Sequence, residues 1–247
     1  MKVYNILAVV LAAAQLVPCL LASEMNTLIG VKGRDFVLLG GDSAFFRSMV
    51  VMEDDYKKVV ELADNIVVAA AGDQGDVEMF VEWLKRNLVL LMLESSRPVG
   101  VSALANFARR NLAGKLRERG GAQAVTALLG GWNEGTRVAE LYWLDSLGTL
   151  QQVPFGAHGL SSRFALALLD SGYREGLSLP EAAELVESCF QQLEGRYLVS
   201  SVGFTMKVVD GDGCRDVWPG GGGRAGAKVQ EIGAGAGVRG GAGTGAG

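Results

Sequence analysis

The feature that most limits the fold of this chain is the order of its strand-like and helix-like apolar patterns. Four short runs are apolar or alternating and are separated by glycines or charged turns, as β-strands require. They are residues 27–31, 36–41, 58–62 and 65–71. From Asp73 onward, apolar residues recur every three or four positions, which is typical of a helix with one buried face. Pro98 and Gly100 end this pattern, and a second helical pattern starts at Ser102.

The second half of the chain repeats the same order of patterns. Strands are predicted at residues 122–132, 137–145 and 149–153. A helix follows over 159–173, and another begins at Ser178, with the spacing of a capping box to Glu181. The last predicted strands are residues 203–209 and a short run after the turn at 210–213. Strict strand–helix–strand alternation is absent, so we predict an α+β fold, a four-layer αββα sandwich, and no parallel doubly wound sheet.

The two ends differ in composition from this central part, which divides the chain into residues 1–24, 25–217 and 218–247. Residues 1–24 have one early lysine and an apolar run that Gln15 and Pro18 interrupt, the form of a secretory signal. A leader of another kind, or translation extended upstream of Met25, fits equally well, whereas a membrane span does not. The last segment is rich in glycine and alanine and is predicted to be disordered, because it has little apolar surface to bury.

The composition excludes several classes of function. The net charge of −4 gives no basic surface for nucleic acid. A single histidine, His158, excludes a zinc site that needs two of them, and we predict no metal and no cofactor. Cys19, Cys189 and Cys214 form no CxxC motif and no plausible disulfide framework, which indicates a reduced, intracellular protein.

Two sets of residues could take part in chemistry, and each also has a structural interpretation. A hydrolase triad would have to use His158, but that histidine lies between a strand and a helix, where packing is the simpler role. Asp42 ends one strand and Lys58 begins another, so the two could form a proton relay. Alternatively, they are an ion pair at a sheet edge or solvated charges. Cys189 falls on an apolar helix face and is expected to be buried and inert.

Several local strings resemble the beta subunits of the proteasome. MNTLIG at residues 25–30, followed by 36–43, is similar to their first hairpin, and NIVVAAAGD at 65–73 is similar to their next strand and its turn into a helix. More specific strings occur at residues 105–113, 128–132, 141–145 and 154–159. The resemblance covers about residues 25–217 and is greatest to a non-catalytic member of these beta subunits. It implies the sandwich of the N-terminal nucleophile hydrolases.

In active members of this family, cleavage after a glycine frees a threonine, whose hydroxyl attacks the peptide and whose amine serves as the base. A lysine and an aspartate tune this site, and a glycine amide forms the oxyanion hole. The resemblance assigns these three positions to Lys58, Asp42 and Gly72. Met25 stands at the nucleophile position, and a thioether cannot attack a carbonyl.

Other positions depart from the active pattern as well. Glu24 replaces the glycine at the cleavage point, and Thr27 comes two residues too late. His158 replaces a serine, and Tyr197 replaces a second aspartate, while Ser200 is retained. We therefore expect no catalytic residue in this chain, with Met25, Asp42, Lys58 and Gly72 as vestigial positions.

The resemblance implies a structural, non-catalytic subunit of the 20S core particle that supports ubiquitin- and ATP-dependent protein degradation. Its partners would be other beta subunits and alpha subunits in stacked seven-membered rings, in the cytoplasm and nucleus, without nucleic acid or membrane. The alternative is a secreted or lumenal N-terminal nucleophile hydrolase with a true signal peptide, in which Ser23 or Thr27 becomes the nucleophile after processing.

Overall fold

A computed structural model describes residues 26–47, 50–95, 97–119, 121–194, 196 and 203–217. The predictions made for residues 1–24 and 218–247, and for Met25, Tyr197 and Ser200, lie outside these described residues. In chain order the strands are β1 (Leu28–Lys32), β2 (Val37–Asp42), β3 (Phe45–Arg47), β4 (Val50–Glu53), β5 (Val59–Ala63), β6 (Ile66–Gly72), β7 (Val125–Asn133), β8 (Val138–Leu144), β9 (Leu150–Gln152), β10 (Phe155–His158), β11 (Phe204–Asp210) and β12 (Gly213–Val217). The helices are α1 (Gln74–Ser95), α2 (Val101–Lys115), α3 (Ser162–Gly172) and α4 (Leu179–Leu193).

Two antiparallel five-stranded sheets form the middle of the molecule. The first has the strand order β10-β1-β2-β11-β12, and the second has the order β5-β6-β7-β8-β9. Strands β3 and β4 pair with each other as a separate hairpin. Strands β1 and β2 are joined by a short turn and pair with each other, as do β5 and β6.

Three layers of buried apolar side chains hold four layers of structure together. Side chains of α1 and α2, such as Phe80 and Leu104, pack on the second sheet against Val68 and Leu129. On the opposite side, α3 and α4 cover the first sheet. Between the sheets, the apolar residues of β1 and β2 meet those of β6, β7 and β8. The αββα sandwich predicted from the order of patterns is therefore confirmed.

The structure also corrects details of the predicted elements. The β3–β4 hairpin was not predicted, because neither strand is long enough to show a period of two. Residues 155–158 form strand β10, and helix α3 starts at Ser162, not at 159. Ser178 and Glu181 do form a capping box at the start of α4, where the Ser178 N–H donates to Glu181 Oε2 over 2.9 Å. Among the described residues, no helix combines the length and the hydrophobicity needed to cross a bilayer.

Candidate functional site

The Asp42–Lys58 pair lies at one end of the interface between the two sheets. Asp42 ends β2 in the first sheet, and Lys58 immediately precedes β5 in the second. Lys58 Nζ donates to Asp42 Oδ2 over 2.6 Å and to the carbonyl oxygen of Ala44 over 2.7 Å. Both residues are only 3% exposed, and β2 is the central strand of its sheet. Of the alternatives that the sequence left open, an ion pair is therefore present and solvated charges are wrong, because both residues are buried.

Burial changes the proton affinity of both groups. It raises the pKa of Asp42 and lowers the pKa of Lys58, and the attraction between the two charges opposes each shift. Both shifts bring the proton affinities of carboxylate and amine closer together than in water. With 2.6 Å between Nζ and Oδ2, the pair can hold or pass a proton.

Thr27 precedes β1 and is fixed by three hydrogen bonds. Its backbone N–H donates to Asp42 Oδ1 over 2.6 Å, and its carbonyl oxygen accepts from the Asp42 N–H over 3.1 Å. Its hydroxyl is 2.6 Å from the hydroxyl of Ser161, which is 3% exposed. One carboxylate therefore binds both Lys58 and the backbone of Thr27, while the Thr27 side chain is directed to a buried serine.

Gly72 ends β6 just before α1 and has a φ of +149°. A Cβ at this position would lie 1.8 Å from the carbonyl oxygen of Ala124, so no other residue fits this backbone. Gly72 and Lys58 line the same small cavity. The structure thus brings together three of the residues singled out in the sequence, Asp42, Lys58 and Gly72.

His158 ends β10 and packs in the interior of the sandwich. Its ring stacks on Trp143 with 4.7 Å between centroids, and its Nε2 is 3.2 Å from the carbonyl oxygen of Ala127. An N–H at Nε2 therefore donates to Ala127, which is the packing role that the sequence favoured. Burial lowers the pKa of His158 to about 4, so the ring is neutral at physiological pH.

The cysteines in the described part do not join this site. Cys189 is buried on α4, and burial raises the pKa of its thiol to about 11, as expected for an inert residue. Cys214 lies on β12, where burial also raises its pKa to about 11. Among the described residues, no three histidine, cysteine or acidic side chains cluster as they would to bind a metal.

Two features of the site were missed by reasoning from the sequence. Ser161 lies 134 positions from its partner Thr27, so no spacing in the sequence links them. Phe45 and Tyr56 meet with 5.7 Å between ring centroids beside Lys58. Their aromatic character was the available signal, but the hairpin between them was not predicted.

Comparison with known proteins identifies the family. The family model for proteasome subunits matches residues 24–209. Proteasome subunit beta type-4 of Saccharomyces cerevisiae is 33% identical over 193 residues, which are 78% of this chain and 97% of that protein. Proteasome subunit beta type-2 of Trypanosoma brucei brucei is 39% identical over 202 residues, with 78% and 97% covered. The corresponding subunit of Oryza sativa is 35% identical over 192 residues, with 78% and 89% covered. This chain therefore belongs to the proteasome subunit family, among its beta subunits.

Proposed function

We propose that this chain is a non-catalytic structural subunit of the 20S proteasome core particle. Its place would be a seven-membered beta ring that stacks on a second beta ring and on an outer alpha ring, with a role in ubiquitin- and ATP-dependent degradation. The domain that builds the ring is residues 25–217, and residues 1–24 and 218–247 lie outside it. The particle would act in the cytoplasm and nucleus, without nucleic acid.

The proposal depends first on what stands at the nucleophile position. Met25 has no ionisable hydrogen, and Glu24 replaces the glycine at which active relatives would be cut. The ion pair of Asp42 and Lys58 remains, but a methionine in the nucleophile position has no hydroxyl proton that the pair could accept. We infer that the pair now serves to join the two sheets.

The hydrogen bonds of Thr27 are the single observation that carries the proposal, because Thr27 is the first hydroxyl residue after Met25. If cleavage made Thr27 the first residue, its amine would lie 2.6 Å from the Asp42 carboxylate. That contact favours the protonated amine, which cannot act as a base. The hydroxyl would also have to leave Ser161. Both contacts oppose the alternative of a secreted or lumenal hydrolase that uses Thr27.

Native fractionation tests this proposal. A lysate is separated by size without denaturation, and the chain is detected together with a known core-particle subunit. We expect both in one very large complex from the cytosolic and nuclear fractions. A small species in a membrane-enclosed fraction, with peptidase activity that follows it, would support the secreted hydrolase and contradict the structural role.

A further inference from the structure

The turn between β11 and β12 contains the only two Asp-Gly pairs in the sequence, Asp210-Gly211 and Asp212-Gly213. In such a pair the amide nitrogen of the glycine can attack the aspartate side chain, because glycine has no side chain to hinder the approach. The attack closes a succinimide ring, and water can reopen this ring so that the main chain runs through the aspartate side chain. The structure gives the two aspartates different environments for this reaction.

Asp210 is restrained on both of its carboxylate oxygens. Arg215 Nη2 is 2.6 Å from Asp210 Oδ2, and the Asp212 N–H donates to Asp210 Oδ1 over 2.9 Å. Burial alone would raise the pKa of Asp210, but these hydrogen bonds outweigh it and lower the pKa below its ordinary value. The carboxylate therefore stays charged, whereas ring closure needs a proton on the oxygen that leaves. Gly211 is restrained as well, since a Cβ there would lie 3.5 Å from the Trp132 ring.

Asp212 lacks these restraints. It is exposed, and it lies in the turn beyond the last paired residues of the two strands, Asp210 and Gly213. Arg215 attracts its charge but is bonded to Asp210, and no described residue donates a hydrogen bond to the Asp212 carboxylate or forms an ion pair with it. Gly213 has a φ of +112°, which glycine adopts without strain. The Asp212 carboxyl group is therefore free to rotate toward the Gly213 nitrogen.

We propose that Asp212 is a site of spontaneous isoaspartate formation, and that Arg215 protects Asp210 from the same reaction. The Gly213 nitrogen bonds to Cγ of the protonated Asp212 side chain, the Cγ–OH bond breaks, and the hydroxyl leaves with the amide proton as water. A second water adds to the main-chain carbonyl carbon of the ring, and the bond from that carbon to the Gly213 nitrogen breaks. The product has the mass of the original chain and requires no reactant besides water. The site is remote from the Asp42–Lys58 pair and does not depend on the proposed function.

The product would weaken the attachment of β12. An isoaspartyl linkage adds one carbon atom to the main chain in the turn that sets the pairing of Asp210 with Gly213. The ion pairs Lys207–Asp216 and Arg215–Asp210 both connect β11 with β12, at 2.7 and 2.6 Å. Because both distances depend on the register of the two strands, we expect β12 to loosen as the protein ages.

The test ages the native, assembled protein at neutral pH in buffer made with heavy-oxygen water. Digestion after lysine, in ordinary water, then releases residues 208–228 as one peptide from every variant, because Lys207 and Lys228 bound it. Chromatography separates the isoaspartyl peptide from its isomer, and fragmentation by electron transfer locates the altered residue. Each ring that has opened leaves one heavy oxygen atom in the peptide.

We expect isoaspartate at position 212 to exceed that at position 210 by about ten-fold or more in the unaltered chain, because only the Asp212 side chain can reach the attacking geometry. Asp212→Glu is the matched control. Glutamate keeps the charge, but its side chain is too long to close the same ring, so the signal at 212 should disappear. Arg215→Gln should raise isoaspartate at 210 about five-fold or more and change that at 212 less than about two-fold.

Equal amounts at the two positions, or none at either after ageing, would overturn the proposal. If Arg215→Gln left Asp210 unaltered, the ion pair would not be what protects it. Hydrogen exchange of β12 is a second measurement: it should be faster in aged than in fresh unaltered protein, and the same in aged and fresh Asp212→Glu protein. Equal acceleration in both proteins would contradict the loosening of β12 by the reaction at Asp212.

Discussion

Asp42 and Lys58 form a buried ion pair between the two sheets. Each charge has lost water, and each is compensated chiefly by the other at 2.6 Å. Removal of a single partner leaves an uncompensated buried charge, which typically costs about 3–5 kcal/mol. Replacement of both partners removes that penalty. The pair is therefore a structural contact whose energy can be measured without any reference to catalysis.

Lys58→Met should lower the free energy of unfolding of the full chain by about 3–5 kcal/mol, because it leaves the Asp42 carboxylate buried and unpaired. The double variant Asp42→Asn with Lys58→Met should recover more than half of this loss, since asparagine still accepts the Thr27 N–H. Urea titration of the refolded chain measures both values. Additive losses in the double variant would show that the two side chains are not energetically coupled.

His158 should make the fold sensitive to acid. Its pKa of about 4 in the folded chain lies below the ordinary value of 6.5, so the unfolded chain takes up the proton first as pH falls. The stability that depends on neutral His158 is complete above pH 6.5 and is lost as pH falls from 6.5 toward 4. The loss amounts to roughly 3 kcal/mol.

His158→Gln keeps an N–H that can donate to Ala127 and removes the titration. The difference in unfolding free energy between the natural chain and this variant should therefore decrease by roughly 3 kcal/mol from pH 7 to pH 4. Urea titrations at four pH values give this difference, and all other titrating groups cancel in it. A difference that is independent of pH would contradict the burial of a neutral ring.

At the level of elements, the turn from β6 into α1 depends on one glycine. Gly72→Ala should destabilise the chain by about 3 kcal/mol or more, because the new methyl group meets the Ala124 carbonyl and the backbone has a positive φ. Gly114→Ala is the matched control. Gly114 lies in α2, where a Cβ would meet no atom within 4 Å apart from its chain neighbours and its own helix backbone, and the substitution should stabilise the chain by roughly 1 kcal/mol. Thermal unfolding of the two variants measures both changes in stability. Equal changes would contradict the special requirement for glycine at position 72.

The longer elements could be predicted from the sequence because their patterns are local. Helix α1 shows its buried face through residues at helical spacing, and β8 follows a clear turn signal and is long enough to be recognised as a strand. Strand β10 has only four residues, and its glycine and alanine give no alternation. Its place beside β1 is set by pairing across the sheet, which no local pattern contains.

In the candidate site, too, local patterns could be recognised in the sequence, whereas contacts between distant parts of the chain could not. Asp42 and Lys58 could be singled out because each stands at the end of a clear strand, but their meeting across two sheets requires the whole sandwich. Solvated charges were one alternative for the pair, because a run of charged residues at 53–58 suggests a solvated loop. Only Lys58, the last of that run, turns into the interior. Ser161 and the two aromatic rings could not be assigned to the site without long-range contacts.

At the level of the whole molecule, the chain after β12 should be dispensable. Strand β12 pairs with β11 and is held by the ion pairs Lys207–Asp216 and Arg215–Asp210, at 2.7 and 2.6 Å. Residues 218–247 add mainly glycine and alanine. Their deletion should leave the amount of chain in core-sized particles within about 20% of normal, because this composition adds little to a core.

Deletion of residues 213–247 is the control for that experiment, because it also removes β12 and both ion pairs. We expect it to reduce incorporation several-fold, as measured by quantitative mass spectrometry of purified particles. If the shorter deletion abolished incorporation as completely as the longer one, residues 218–247 would be required to hold a neighbouring subunit.

The central claim, a core-particle subunit without a nucleophile, is tested most directly at the first residue of the native chain. Core particles from cells are treated with a peptide electrophile that reacts with N-terminal threonine, and the chain is then sequenced by mass spectrometry. We expect the chain in the particle, beginning at Met25 or a nearby residue and unmodified, while active subunits carry the label. A chain that begins at Thr27 or Ser23 and carries the electrophile would contradict the account.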